Sequence, residues 1–142
     1  MLIIVEGCDG TGKTTFVSML AKQISKMFPD DTVEVLHRGV PERHPLEEYE
    51  LDIEGYRPGY RKHIICDRWH WGEAIYGPLY RGKSLLGPAG MRHVDLFLKA
   101  RGGVVVHLDP DVGTIRRNLT RRGEDYLKSE HLGHGIDAYL EQ

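Results

Sequence analysis

Residues 3–16 read IIVEGCDGTGKTTF, an apolar run that breaks into glycines and a lysine and then resumes as a helix-forming stretch. The spacing Gly7-x4-Gly12-Lys13-Thr14 is that of a phosphate-binding loop set between a strand and a helix. Gly7, Gly10 and Gly12, with Thr11 between them, let the backbone curl until successive N–H groups converge on phosphate oxygens. The helix that follows, opened by Thr15 and Phe16, adds the positive end of its dipole. Lys13 then neutralises the terminal phosphates, and the Thr14 hydroxyl is offered to Mg²⁺. The stretch implies a nucleoside triphosphate as ligand. What receives the phosphate has to be read elsewhere.

The chain has 142 residues. That is enough for one domain, residues 1–142, burying about two-thirds of the surface its unfolded chain would expose. A net charge of −2 with 28% charged residues gives no global field toward nucleic acid or an anionic membrane, so neither is expected as a partner. Small-molecule nucleotides are. The longest apolar runs, LIIV and VVV, are strand-sized. The N-terminus lacks the basic and apolar regions of a secretion signal, so a cytoplasmic location is expected. Cys8 and Cys66 are too few for a disulfide framework and lack metal-site spacing, which leaves packing near the loop as their expected job.

Strand patterns alternate with helix patterns, which predicts an α/β fold: a parallel sheet of four to five strands between helices, in three α/β/α layers. Strands are expected at Leu2–Glu6, Thr32–Leu36, His63–Cys66 and Val104–Leu108. Helices are expected at Lys13–Met27, Trp71–Tyr80, Met91–Arg101, Asp111–Arg121 and near Glu130–Glu141. Pro29-Asp30-Asp31 reads as a turn, and the prolines and glycines between Arg38 and Gly59 predict irregular or weakly helical chain.

Residues 63–68, HIICDR, place Asp67 and Arg68 just beyond the carboxyl end of a buried strand, the edge at which ligands collect in open parallel sheets. A carboxylate there can hold Mg²⁺ and an arginine can grip phosphate through two hydrogen bonds. The plain alternative is a surface Asp–Arg pair of little energetic weight. A third cluster follows His107-Leu108-Asp109-Pro110: Arg116, Arg117, Arg121 and Arg122, ending at Gly123-Glu124-Asp125. Arg117 and Arg121 lie four apart and share a helix face. Arg116 reads as solvated; the others read as part of a lid, about 117–128, that brings positive charge to a transferring phosphoryl group.

Together these clusters resemble the thymidylate kinase family of nucleoside monophosphate kinases, which share the P-loop kinase fold. Val5-Glu6-Gly7-Cys8-Asp9-Gly10-Thr11-Gly12-Lys13-Thr14-Thr15 is similar to that family's phosphate loop, Asp67-Arg68-Trp69 to its Asp-Arg-aromatic signature, and Leu108-Asp109-Pro110-Asp111-Val112 to the strand and helix leading to its lid. The resemblance implies ATP as donor, Mg²⁺ held by Thr14 and Asp67, and dTMP as acceptor. It implies catalytic roles for Lys13, Asp67, Arg68, Arg121 and Arg122, and acceptor contacts from Asp9 and Tyr76 at the sugar and from Arg68 and Arg38 at the phosphate. It also implies a homodimer, and a chain shorter than the usual cellular members suits a compact phage-encoded form. Departures concentrate on the acceptor side. Arg38-Gly39-Val40-Pro41-Glu42-Arg43 stands where the family has Arg-Glu-Pro-Gly, Gly72 and Gly77 stand where serine and glutamine are usual, and the lid lacks its common arginine after Asp125.

Two other functions fit parts of the sequence. A deoxynucleoside kinase uses the same donor site but needs a carboxylate base for a sugar hydroxyl, with Glu34, Glu42 and Asp67 as candidates. A nucleotide-dependent binding switch needs only the loop, although the guanine-reading Asn-Lys-x-Asp is absent. Tyr49, Tyr56 and Tyr60 suit either base stacking or core packing. His131 and His134 are too few ligands for a metal site. His70 is expected in half-exposed packing, and Glu6 in a structural hydrogen bond beside the loop.

Overall fold

A computed structural model describes residues 1–39, 41 and 43–122. The order of elements is β1 (Leu2–Glu6), α1 (Lys13–Met27), β2 (Thr32–His37), α2 (Pro45–Glu54), β3 (Lys62–Asp67), α3 (His70–Arg81), α4 (Gly87–Ala100), β4 (Val104–His107) and α5 (Val112–Arg122). The side chain of Arg122, Glu42, residues 123–128 of the expected lid, the helix expected near Glu130–Glu141, and His131 with His134 lie outside the described residues.

The strands form one parallel sheet in the order β2-β3-β1-β4, with Leu2 beside Ile64, Ile3 beside Val104 and Thr32 beside Lys62. β1 is buried along its whole length, which is why LIIV is continuously apolar rather than alternating: a central parallel strand is covered on both faces. The two-residue period sorts its side chains. Leu2 and Ile4, with Ile64 and Cys66 of β3, pack against Tyr49 and Ile53 of α2 and Val94 and Leu98 of α4. Ile3, Val5 and Ile65 pack on the other face against Val17 and Ile24 of α1. The three-layer α/β/α expectation holds, with four strands among the described residues.

Sheet order also places the site. The crossover from β1 to β2 runs one way past β3, and the crossover from β3 to β4 runs the other way past β1. The loops leaving the adjacent strands β1 and β3 therefore diverge, and a crevice opens outside their carboxyl ends. A small cluster of Cys8, Ile75, Ile115 and Leu119 ties the loop after β1 to α3 and α5.

The stretch expected to be irregular or weakly helical contains α2. Pro45 is the first helical residue, where its missing N–H costs nothing, Glu47 and Glu48 occupy the first turn, and Tyr49 and Ile53, four apart, bury one face. α4 likewise starts at Gly87 and not Met91, again with a proline in its first turn. No helix among the described residues is long and apolar enough to cross a membrane.

Candidate active site

The loop between β1 and α1 is shaped by close approach. A Cβ on Gly7 would stand 2.6 Å from the Leu108 carbonyl oxygen, and one on Gly10 would stand 2.9 Å from Leu119 Cγ, so only glycine lets α5 and the β4 exit lie against the loop. Asn118 Nδ2 donates to the Gly10 carbonyl at 2.7 Å and fixes that contact. Thr11 Oγ1 and Lys13 Nζ both donate to the Cys8 carbonyl, at 2.9 and 2.7 Å. Gly12 caps α1 without any side-chain hydrogen bond to the first turn. The amides there, Thr14 and Thr15 included, remain available to an anion and carry the positive helix end. Lys13 is buried, and desolvation first, then the Arg68 charge, lowers its pKa. A phosphate arriving in the loop would relieve both penalties.

Across the crevice, Asp67 ends β3 with its carboxylate buried. Its Oδ2 accepts from Thr14 Oγ1 at 2.8 Å and lies 3.0 Å from His37 Nδ1. Its Oδ1 is buried with no hydrogen-bond partner among the described residues. A buried carboxylate oxygen left open beside a hydroxyl is a donor set that a hard divalent cation satisfies, so Thr14 and Asp67 fit Mg²⁺. Arg68 follows with φ of 69°, a left-handed conformation rare for a side-chain-bearing residue, and its guanidinium pairs with Asp9. Loop and β3 exit are thereby joined by two side-chain links, Thr14 to Asp67 and Asp9 to Arg68.

Glu6 is fully buried at the end of β1. Its Oε1 accepts from the amides of Trp69 and Trp71 at 3.0 and 3.1 Å and so anchors the start of α3, the structural bond expected of it. Burial pushes its carboxyl up to about 7, against the pull of those amides and of Lys13 and Arg68. Tyr76 on α3 accepts the Asp9 amide at 3.1 Å and stacks on Tyr80 with centroids 6.0 Å apart.

Arg38 stands at the exit of β2, where Asp52 of α2 grips its guanidinium, Nε to Oδ2 at 2.9 Å with a second bond from Nη2, and Glu48 lies 3.5 Å away. Donating these hydrogen bonds to Asp52 raises the Arg38 pKa. Asp52 also accepts from Trp69 Nε1 at 3.1 Å. Nothing in the sequence singles out Asp52, because its position matters only once α2 exists. A cavity of about 310 Å³ is walled by Asp9, Arg38, Arg68, Trp69 and Tyr76, and an adjoining cavity of about 470 Å³ shares Arg38.

The remaining candidates divide clearly. Glu34 sits mid-strand, beside Ile64 and paired with Lys62 at 2.8 Å, away from the carboxyl edge. Tyr49 is buried but lines the cavity, Tyr56 is core, and Tyr60 is exposed. His70 is fully buried where half-exposure was expected; it lies edge-on to Trp69 and its Nε2 is 2.7 Å from Asp95. Both cysteines are buried thiols, as expected. Arg116, Arg117 and Arg121 are exposed on α5, whose start is capped by Asp111 through the Thr114 amide at 3.0 Å.

No family model matches the chain. Over 142 residues it is 25% identical to the SPbeta prophage-derived uncharacterized protein YorR of Bacillus subtilis, covering 99% of this chain and 80% of that one. The crystal structure of YorR in complex with phosphorylated GDP superposes with a TM-score of 0.74 at 22% identity, over 99% of this chain and 77% of that one. Deoxyadenosine kinase from M. mycoides with bound dATP superposes with a TM-score of 0.60 at 16% identity, over 99% and 83%. Polyphosphate kinase 2 from Arthrobacter aurescens superposes with a TM-score of 0.62 at 17% identity, over 97% of this chain and 54% of that one. The fold is that of the P-loop nucleotide kinases.

Proposed function

We propose that the protein is a kinase that moves the γ-phosphoryl group of ATP to a nucleoside monophosphate, with dTMP the acceptor favoured by the resemblance to thymidylate kinases. One observation carries the reading: Asp9 of the phosphate loop walls a separate cavity that also holds Arg38 and Arg68, the residue next to Asp67, whose carboxylate accepts from Thr14. Two phosphate-seeking surfaces meet at one crevice, which is what transfer between two phosphorylated molecules requires.

In this reading the loop amides and Lys13 hold the β- and γ-phosphates, and Arg68 with Arg38 turns an acceptor phosphate oxygen toward the γ-phosphorus. That oxygen forms the new P–O bond while the bond to the β–γ bridging oxygen breaks and ADP leaves. The nucleophile is an already ionised phosphate oxygen, so no strong base is needed and the rate comes from positioning and charge neutralisation. Mg²⁺, when held by Thr14 and Asp67, supplies part of that neutralisation. Asp9 and Tyr76 place the sugar. Arg121 and Arg122, carried by α5 and the lid beyond it, bring further positive charge and exclude water, limiting ATP hydrolysis.

A second reading has one observation in its favour, the fold shared with a deoxyadenosine kinase. It needs a carboxylate base at the crevice; of the described candidates, Asp67 ends β3 at the carboxyl edge, whereas Glu34 lies mid-strand, paired with Lys62. The test is ATP-dependent transfer to a panel of deoxynucleoside monophosphates and deoxynucleosides. Diphosphate formation from a monophosphate supports the first reading; activity on nucleosides alone moves the chemistry to a hydroxyl; binding of ATP with no acceptor leaves a nucleotide-dependent switch.

A further inference from the structure

The cavity that would take the acceptor carries a second charged pair that the reaction does not use. Glu73 and Arg81, eight residues apart on α3, are both in its wall. Glu73 is buried; its two carboxylate oxygens accept from Arg81 Nη2, and Oε1 also accepts the Leu85 amide at 2.8 Å. Between them α3 contains Gly77 and Pro78, two poor residues for a helix interior. A Cβ on Gly77 would stand 2.8 Å from Glu73 Oε1 and 3.0 Å from Arg81 Nη2. The helix gives up a side chain so that Arg81 can reach back over two turns to Glu73.

The two charged pairs have different supports. Asp9–Arg68 belongs to the phosphate loop and the β3 exit, where the phosphates meet. Glu73–Arg81 is fastened to the chain after α3 through the Leu85 amide. With the phosphate end of the cavity taken, the second pair is left for the base, beside the stacked rings of Tyr76 and Tyr80. Its hydrogen-bonding character is one-sided. Both Glu73 oxygens are engaged, whereas Arg81 Nε and Nη1 have no acceptor among the described residues. This part of the wall therefore offers donors.

Resting on the kinase reading, we propose that Arg81, held by Glu73, selects the acceptor by its base, favouring those with a carbonyl opposite the sugar (O4 of thymine or uracil, O6 of guanine) over those with an amino group there. A carbonyl accepts from the guanidinium, and guanine can take it through O6 and N7 together. The amino groups of cytosine and adenine present donors to donors and leave both unpaired. Arg81 is a specificity residue on this view, and Glu73 its positioning residue.

The experiment measures kcat/KM for dTMP, dGMP, dCMP and dAMP with the full chain and with Arg81→Gln, whose side chain offers an acceptor as well as a donor. The wild type should favour carbonyl over amino bases by at least about tenfold, and Arg81→Gln should bring that ratio below about threefold. An equal preference in the wild type, a ratio unchanged by the substitution, or a uniform loss on all four acceptors, which would put Arg81 on the phosphate, each overturns the inference while leaving the kinase reading intact. If no monophosphate is phosphorylated, the reading itself fails. Base preference is then read from binding, because Trp69 lines the cavity and tryptophan fluorescence reports titrations with the same monophosphates and with deoxynucleosides. Absence of a carbonyl preference there, or of any binding, overturns the inference too.

Discussion

Lys13 is the residue on which the kinase reading bears most directly. Its ammonium is buried and bonded to a carbonyl of its own loop, a position that favours loss of charge until phosphate arrives. Lys13→Ala should therefore leave the fold intact and lower phosphoryl transfer by at least about a hundredfold, read from steady-state rates against melting curves. Glu6 makes a different prediction. Its folded carboxyl keeps a proton to about pH 7, whereas an unfolded glutamate releases it near 4.5. The folded state thus holds the extra proton between those values, and this residue's contribution to stability declines as pH rises through that window, by about 3 kcal/mol at most. Urea unfolding at pH 5 and pH 8 should show a smaller difference for Glu6→Gln than for the wild type; an identical difference would contradict the burial account. The Glu6 bond was legible in the sequence, because a carboxylate ending a buried strand beside amides has few other uses. Asp52, Glu73 and Arg81 were not, since each acts across a distance that only the folded helices define.

Among the elements, β1, the loop and α1 were readable because the glycine positions are dictated by geometry: backbone must pass where a side chain cannot. Gly10→Ala tests this directly. The added Cβ would meet Leu119 and Ile115 of α5 at a φ of 82°, so a loss of about 1–3 kcal/mol in stability is expected, with weaker ATP binding, by thermal melting and titration. Unchanged stability would mean that α5 does not press on the loop. α2 was foreseen only as irregular or weakly helical chain, without bounds, because Pro45 reads as a breaker in a sequence and acts as a first-turn residue in the helix. For α5, the kinase reading gives the exposed Arg121 and its neighbour Arg122 a kinetic role and not a structural one. Replacing both with alanine should cut turnover by about a hundredfold or more while ATP affinity stays nearly constant, and a small change in turnover would remove the lid assignment.

At the scale of the molecule, a four-stranded parallel sheet in the order β2-β3-β1-β4 puts two strand exits side by side and opens one crevice outside them, which the kinase reading gives to donor and acceptor together. The alternation of strand and helix foretold that architecture, since doubly covered strands announce themselves as continuous apolar runs. The acceptor side was the obscure half. Its walls come from Arg38, α2 and α3, where the sequence departs from the family it resembles and where side chains far apart in the chain meet. The measurement that tests the account most directly follows the γ-phosphoryl of labelled ATP, with Mg²⁺ and dTMP, in wild type and Lys13→Ala. The account predicts label in a nucleoside diphosphate, abolished by the substitution. Label appearing only as inorganic phosphate, or no transfer to any nucleoside monophosphate, would contradict it.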